Sequence, residues 1–160
     1  MTKADFINKA YPAAIASGHI FPEYAVAESA LESAWGQSVL AREASNLFGE
    51  KRGCTTINHE TIEIPTQEYM QGQWIWVKAE WPKFADWEES FRARMMLLNR
   101  LPCYAAALAA STGESFVKLV SVHWATDPHR ADKVLETYRC NLGLLANAKT
   151  MAGAVKKAAV

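Results

Sequence analysis

Apolar residues recur every three or four positions through most of this chain, and every second position through one short stretch. Phe6, Ile7 and Ala10 begin the first helical stripe. Thr2 stands before it, with Asp5 three residues on, in the arrangement of a capping box. Pro12 is expected to bend or restart this helix, and Ser17-Gly18-His19 to end it. Pro22 occupies the first-turn position that proline tolerates. Tyr24, Ala27, Leu31, Ala34 and Trp35 line a second helix that ends near Ser33-Ala34, where Trp35-Gly36 turns the chain. A short helix is predicted around Ser38–Glu43, and a loop over 44–52. The period then changes. From Cys54 to Trp81, Thr, Ile, Val and Trp dominate, Ile62 and Ile64 alternate with polar neighbours, and Gln71-Gly72-Gln73 reads as a turn, so a β-hairpin is predicted. Helical spacing returns at Asp86, an N-cap followed by the stripe Trp87, Phe91, Met95 and Leu98. Pro102 opens a helix through Ala110, and Phe116, Leu119, Val120 and His123 carry the next. Asp127-Pro128 is expected to cap a last helix, with Ala131, Val134, Leu135, Tyr138, Leu142 and Leu145 facing the core. The Ala/Lys-rich tail, 147–160, is expected to fray. The prediction is a mainly helical α+β chain, a single domain over 1–160, with a β-lobe at about 54–81.

Composition narrows the function classes. Lys and Arg number 17 and Asp and Glu number 17, so the formal net charge is zero. That balance argues against a nucleic-acid binder, which carries a basic excess. No stretch approaches the ~20 apolar residues of a membrane span. Met1-Thr2-Lys3-Ala4-Asp5 contains no apolar signal core, which sets the expectation that the protein is made in the cytoplasm and acts elsewhere only after release. Cys54, Cys103 and Cys140 are an odd, scattered set without C-x-x-C, and His19, His59, His123 and His129 lack H-E-x-x-H spacing, so neither a disulfide framework nor a metal site is predicted.

The segment Ala30-Leu31-Glu32-Ser33-Ala34-Trp35-Gly36 carries the most chemistry. A glutamate closes an apolar helix at its C-terminal end, where the helix dipole disfavours a carboxylate. Apolar neighbours and the dipole both favour the protonated form, and a glutamate that keeps its proton is the general acid that glycosidic cleavage requires. A surface glutamate merely closing a helix is the alternative. Glu28 lies one turn earlier on the same face, where a like charge would favour the protonated acid further. Its plainer role is a solvent-facing glutamate paired with a Lys or Arg. Asp127 reads as an N-cap rather than a catalyst.

That segment, followed by Leu40-Ala41-Arg42-Glu43, by Asn46-Leu47-Phe48-Gly49-Glu50-Lys51 and by Trp124-Ala125-Thr126-Asp127-Pro128, resembles glycoside hydrolase family 73, the peptidoglycan-cleaving N-acetylglucosaminidases of autolysins, flagellar muralytic proteins and phage lysins. The matches keep their order from about residue 22 to residue 140. Ala34 stands where the family pattern has Gly, and Trp124 where it has Tyr. The resemblance implies a lysozyme-like fold, a helical lobe and a β-lobe with a cleft between them. It carries the general acid onto Glu32. Ile64-Pro65-Thr66-Gln67-Glu68-Tyr69 resembles a segment holding a second acid, which points to Glu68. Glu60 and Glu63 compete on the same hairpin, and alternation puts Glu68 on the Ile62/Ile64 face and Glu63 on the other. Trp35, Asn46, Phe48, Tyr69 and Trp124 are the expected substrate-binding residues, with Trp74 and Trp76 as further aromatic candidates. The implied substrate is the glycan strand of bacterial peptidoglycan, cut between N-acetylglucosamine and N-acetylmuramic acid by a monomer needing no cofactor. A phage endolysin released through a holin is the expected setting. A muramidase or lytic transglycosylase of the same fold, a non-catalytic wall-binding module, and a secreted effector with an immunity protein as partner are the alternatives.

Overall fold

A computed structural model describes residues 1–70 and 72–158, with the side chains of 67–70 and 155–158 outside the description. The order is α1 (Lys3–Ala16), α2 (Pro22–Glu32), α3 (Val39–Ala44), β1 (Thr61–Met70), β2 (Gln73–Pro82), α4 (Trp87–Arg100), a 3₁₀ turn (Pro102–Tyr104), α5 (Ala105–Leu108), α6 (Gly113–Trp124), α7 (Arg130–Cys140) and α8 (Leu142–Ala158). Helices surround α2, and one antiparallel hairpin projects between α3 and α4.

Local chemistry explains the boundaries. Thr2 and Asp5 form the expected capping box, with the Thr2 backbone N–H donating to Asp5 at 3.0 Å. Ser38, Asp86 and Thr112 cap α3, α4 and α6 by accepting a backbone N–H three residues on, each satisfying an amide the helix cannot. Pro12 does not break α1, which runs unbroken through it with Phe6, Ile7, Ala10, Tyr11 and Ala14 buried. Proline removes one helical donor, and the apolar face of the same helix holds the remaining turns in place.

Two apolar clusters meet at α2. Ala25, Val26 and Ala30 face Phe6, Ile7, Phe48, Trp87, Phe91, Leu145 and Ala148. Ala27 faces Leu98, Tyr104, Phe116, Val120, Val134 and Leu135. Each fully buried Phe or Leu contributes roughly 1.5–3 kcal/mol. Small residues on α2 let neighbours approach. At α6 the approach is closer still, because a Cβ on Gly113 would lie 2.1 Å from the Tyr24 ring, which stacks on Tyr138 at 4.1 Å.

Three sequence expectations near the C-terminus meet a different structure. Asp127 does not begin a helix at Pro128. Its carboxylate accepts the His129 N–H at 2.9 Å and pairs with Lys133, and α7 starts only at Arg130. The single last helix is two, divided at Asn141. The stretch expected to fray continues as α8 to Ala158, because its inner side is usable: Leu145 and Ala148 are buried against α1, and Lys149 reaches Glu23 at 2.7 Å.

The hairpin register pairs Ile62 with Trp81, Ile64 with Ala79 and Thr66 with Val77 on one face, and Glu63 with Glu80 and Pro65 with Lys78 on the other. The first face is half-buried, and the second is exposed. Trp81, Pro82 and Phe84 anchor the foot of the ribbon in the protein, whereas Trp74 and Trp76 near its far end are 65% and 70% exposed.

Candidate active site

α2 ends abruptly, and the ending presents Glu32. Ser33 is fully buried; its hydroxyl donates to the Ser29 carbonyl at 2.6 Å and accepts the Gly36 N–H at 2.8 Å. Ala34, Trp35 and Gly36 then adopt φ of 50°, 58° and 75°, three left-handed residues in succession. Glycine is needed at the third, since a Cβ on Gly36 would press on Phe6 and Trp87 at 3.2–3.3 Å. Glu32 is thereby the last residue of the helix, its side chain 27% exposed.

Beneath it lies a cluster of buried charge. Glu28 is not solvent-facing; it is 2% exposed, and one of its oxygens, Oε1, accepts from Nη2 of both Arg94 and Arg130. The sequence suggested a partner but not its depth: Glu28 sits on the face α2 turns toward α7, and burial there demands cations. Arg130 continues outward, donating from Nε to Glu32 Oε1 at 2.8 Å and from Nη1 to Ser121 at 3.0 Å. Arg94 is wholly buried, its guanidinium carbon 3.8 Å from the centre of the Trp124 ring and 4.8 Å from that of Phe48. Its Nε and Nη1 have no hydrogen-bond partner among the described residues.

The charges set the protonation of the two carboxyls differently. Burial alone would push Glu28 up, but Arg94 and Arg130 overcome it and hold the carboxyl down at about 2. Burial raises Glu32 above the ordinary carboxylate range; Arg130 pulls it back, and the Glu28 charge adds to the rise. A carboxyl that tends to keep its proton, with one edge reachable from solvent, has the properties of a proton donor to an ether oxygen.

The other expected site residues divide. Trp124 lies against Arg94 and beside Tyr104, at 6.4 Å, with the guanidinium carbon of Arg130, the partner of Glu32, 5.9 Å from its ring centre. Trp35 is half-buried on the α1 side, edge-on to Phe6 at 5.7 Å and beneath the Lys3 ammonium. Phe48 and Asn46 do not present themselves to a ligand. Phe48 is 1% exposed, packed edge-on to Phe91 at 5.1 Å. The Asn46 amide closes its own loop, donating to the Glu50 carbonyl at 2.8 Å and accepting the Glu50 N–H at 3.0 Å. Both are buried because that loop is the floor under the hairpin rather than a rim. Glu60 and Glu63 pair with Lys83 and Lys78, each at 2.9 Å, on the surface. The backbones of Glu68 and Tyr69 pair with Ile75 and Trp74; their side chains lie outside the described residues. Among the described residues no group of three or more His, Cys, Asp and Glu is placed to hold a metal ion, and Cys54, Cys103 and Cys140 are free and exposed.

Arg94, Arg130 and buried Glu28 escape motif reading. Arg94 had a signal: Trp87, Phe91, Arg94 and Leu98 stand at one helical face, so a cation sits in an apolar stripe.

The model of the glucosaminidase family, described as mannosyl-glycoprotein endo-beta-N-acetylglucosaminidase, matches residues 8–142. The chain belongs to this family, glycoside hydrolase family 73. Among relatives within and around the family, the peptidoglycan hydrolase FlgJ of Escherichia coli strain K12 is 34% identical over 88% of this chain and 51% of its own. The exo-glucosaminidase LytG of Bacillus subtilis strain 168 is 33% identical over 72% of this chain and 42% of its own. The chain thus spans about half the length of the curated relatives it matches. The glycoside hydrolase domain of Salmonella typhimurium FlgJ, C-terminally truncated, superposes with a TM-score of 0.70 at 30% identity, covering 89% of this chain and 99% of that one. A mutant peptidoglycan hydrolase of Sphingomonas sp. A1 reaches 0.77 at 26% identity, covering 92% and 99%. The fold is the mainly helical, lysozyme-like glycosidase fold with a two-stranded β-lobe.

Proposed function

We propose that this chain hydrolyses peptidoglycan, cutting the β-1,4 bond between N-acetylglucosamine and N-acetylmuramic acid, with Glu32 as the general acid. One observation carries the reading. Glu32 ends α2 half-buried, its carboxyl raised by burial and one oxygen held by Arg130. Glu32 protonates the leaving oxygen, and water attacks the anomeric carbon. Either Glu68 or the substrate's own N-acetyl group assists that attack, both routes being known to glycosidases. Family membership and the names of the FlgJ and LytG relatives support the substrate.

Glu32→Gln removes the transferable proton while keeping the shape. It is expected to fold and to lose at least ~10²-fold in clearing a peptidoglycan suspension, the scale of general acid catalysis. Near-wild-type clearance by the folded variant overturns the assignment. Mass spectrometry of the digest reads the bond and the chemistry together: a reducing N-acetylglucosamine end supports this proposal, a reducing muramic end a muramidase, and a 1,6-anhydro end a transglycosylase. Release as a phage endolysin is part of the same proposal. A neighbouring holin gene supports it, and a neighbouring immunity gene supports delivery as an effector.

A further inference from the structure

Four charges from three helices converge at the end of α2: Glu28 and Glu32 on α2, Arg94 on α4 and Arg130 on α7. Their contacts are asymmetric. Glu28 is wholly enclosed and shares one oxygen between both guanidinium groups. The Glu32 carboxyl has its polar contacts, among the described residues, with Arg130, through Oε1, at 2.8 Å from Nε and again from Nη2. Among the described residues its Oε2 has no hydrogen-bond partner. A guanidinium donates and cannot accept. With guanidinium donors facing Oε1 on both contacts, a proton on Glu32 is favoured on Oε2, so the contact selects which oxygen delivers it. Arg130 is itself fixed at three points, by Glu28, Glu32 and Ser121.

The charge count makes Glu28 necessary. Two buried guanidiniums beside a lone Glu32 would strip its proton. With Glu28 ionised, the three buried charges sum to +1, and Glu32 chooses between closing the cluster to zero and keeping its proton. The other titratable groups that sense these arginines are His19, which burial holds neutral down to about 3, Tyr104 of the 3₁₀ turn, a neutral phenol raised further by burial, and the buried Glu50 carboxyl, which burial raises and Arg94 pulls back.

We infer that Arg130 is a positioning residue for Glu32, holding Oε1 as an acceptor so that the proton to be donated sits on Oε2, and that buried Glu28 supplies the counter-charge that lets this proton stay. The inference rests on Glu32 being the acid.

The test is the alkaline limb of the pH–activity profile on purified sacculi, together with the ¹³C NMR titration of the Glu32 carboxyl in the same proteins. Glu28→Gln is expected to move both to lower pH, and Arg130→Gln both to higher pH, each by at least about half a pH unit; one nearby charge in a partly buried site supplies a shift of that order. Arg130→Gln should also lower kcat by on the order of tenfold, since the grip on Oε1 is lost. Arg130→Lys, which keeps the cation, should restore the wild-type limb without restoring all of kcat. Limbs that stay in place, or move in the same direction in both variants, overturn the inference. Should Glu28→Gln fail to fold, Arg130→Gln leaves Glu28 paired with Arg94 and carries the test alone. The wild-type titration needs no variant: a Glu28 carboxyl that titrates above pH 4.5 overturns the counter-charge role. If Glu32→Gln proves active, the general-acid reading fails, while the NMR titrations still report whether the coupling exists.

Discussion

The guanidinium carbon of Arg94 lies over the Trp124 ring, at 3.8 Å from its centre, and over the Phe48 ring at 4.8 Å. A desolvated cation–π contact contributes about 2 kcal/mol, and here the ring also roofs an arginine two of whose nitrogens have no hydrogen-bond partner among the described residues. The family pattern has tyrosine at this position, so the protein has kept a flat ring and dropped a hydroxyl. On the proposed function, the ring is the part expected to matter here. Trp124→Phe and Trp124→Tyr are expected to keep most activity, and Trp124→Ala to lose much of it together with ~3–5 kcal/mol of stability. Turbidity assays well below each variant's melting temperature separate the two effects. Full activity in folded Trp124→Ala removes the residue from the site, and a sharp gain in Trp124→Tyr but not Trp124→Phe restores importance to the hydroxyl. Glu32 and Trp124 were legible as motif members because their neighbours in sequence are distinctive. Phe48 and Asn46 were legible too, but their burial was not: a motif places a residue in the chain, and only the structure shows that its side chain is enclosed. Arg130 and Glu28 are 102 positions apart, and no local spacing announces such a pair.

At the scale of elements, the left-handed run after α2 is the most demanding piece of backbone. Each non-glycine residue held there costs ~1–2 kcal/mol, and Ala34 is exposed, so its methyl group gives nothing back. Ala34→Gly is expected to stabilise the protein by about 1 kcal/mol, raising the melting temperature by roughly 2–4 °C for a domain of this size, with activity unchanged. A melting temperature that stays level or falls would mean the neighbouring Ser33 bonds, rather than the residue at 34, determine the turn. The elements themselves were largely readable, because caps and period are local: α2 begins at Pro22, α4 is capped by Asp86, and the hairpin turns near Gly72. The failures were decided by packing. Pro12 stays within α1 because that helix is buried along one side, and the tail stays helical because α1 offers it a surface.

The molecule as a whole carries its acid sensitivity inside. Burial, and then Arg94, hold His19 down to about 3 in the folded state, against 6.5 when unfolded. Glu28 goes from 4.5 to about 2. In both cases the unfolded chain binds the proton first as pH falls, so both make the fold less stable in acid. His19 acts from pH 6.5 downward, and Glu28 joins below 4.5. Glu32 and Glu50, raised by burial, bind protons preferentially in the fold and oppose the trend just above 4.5. Urea midpoints should therefore decline from pH 6.5 and drop faster below 4.5. His19→Asn, whose amide oxygen can replace the ring nitrogen that accepts the Phe21 N–H, should flatten the upper part of that decline; an unchanged slope would free His19 of the role. The hairpin adds a mechanical consequence. A strand of 10 residues is about 33 Å long, and this one is buried at its foot, at Trp81 and Pro82, with Glu80 tied to Arg52 beside them. It is a lever with its fulcrum in the core. A rotation of about 10° at the foot would carry the far end through roughly 5 Å by that same length. Substitutions under Trp81 will thus be read at Trp74 and Trp76, while changes at those exposed rings leave the fulcrum undisturbed.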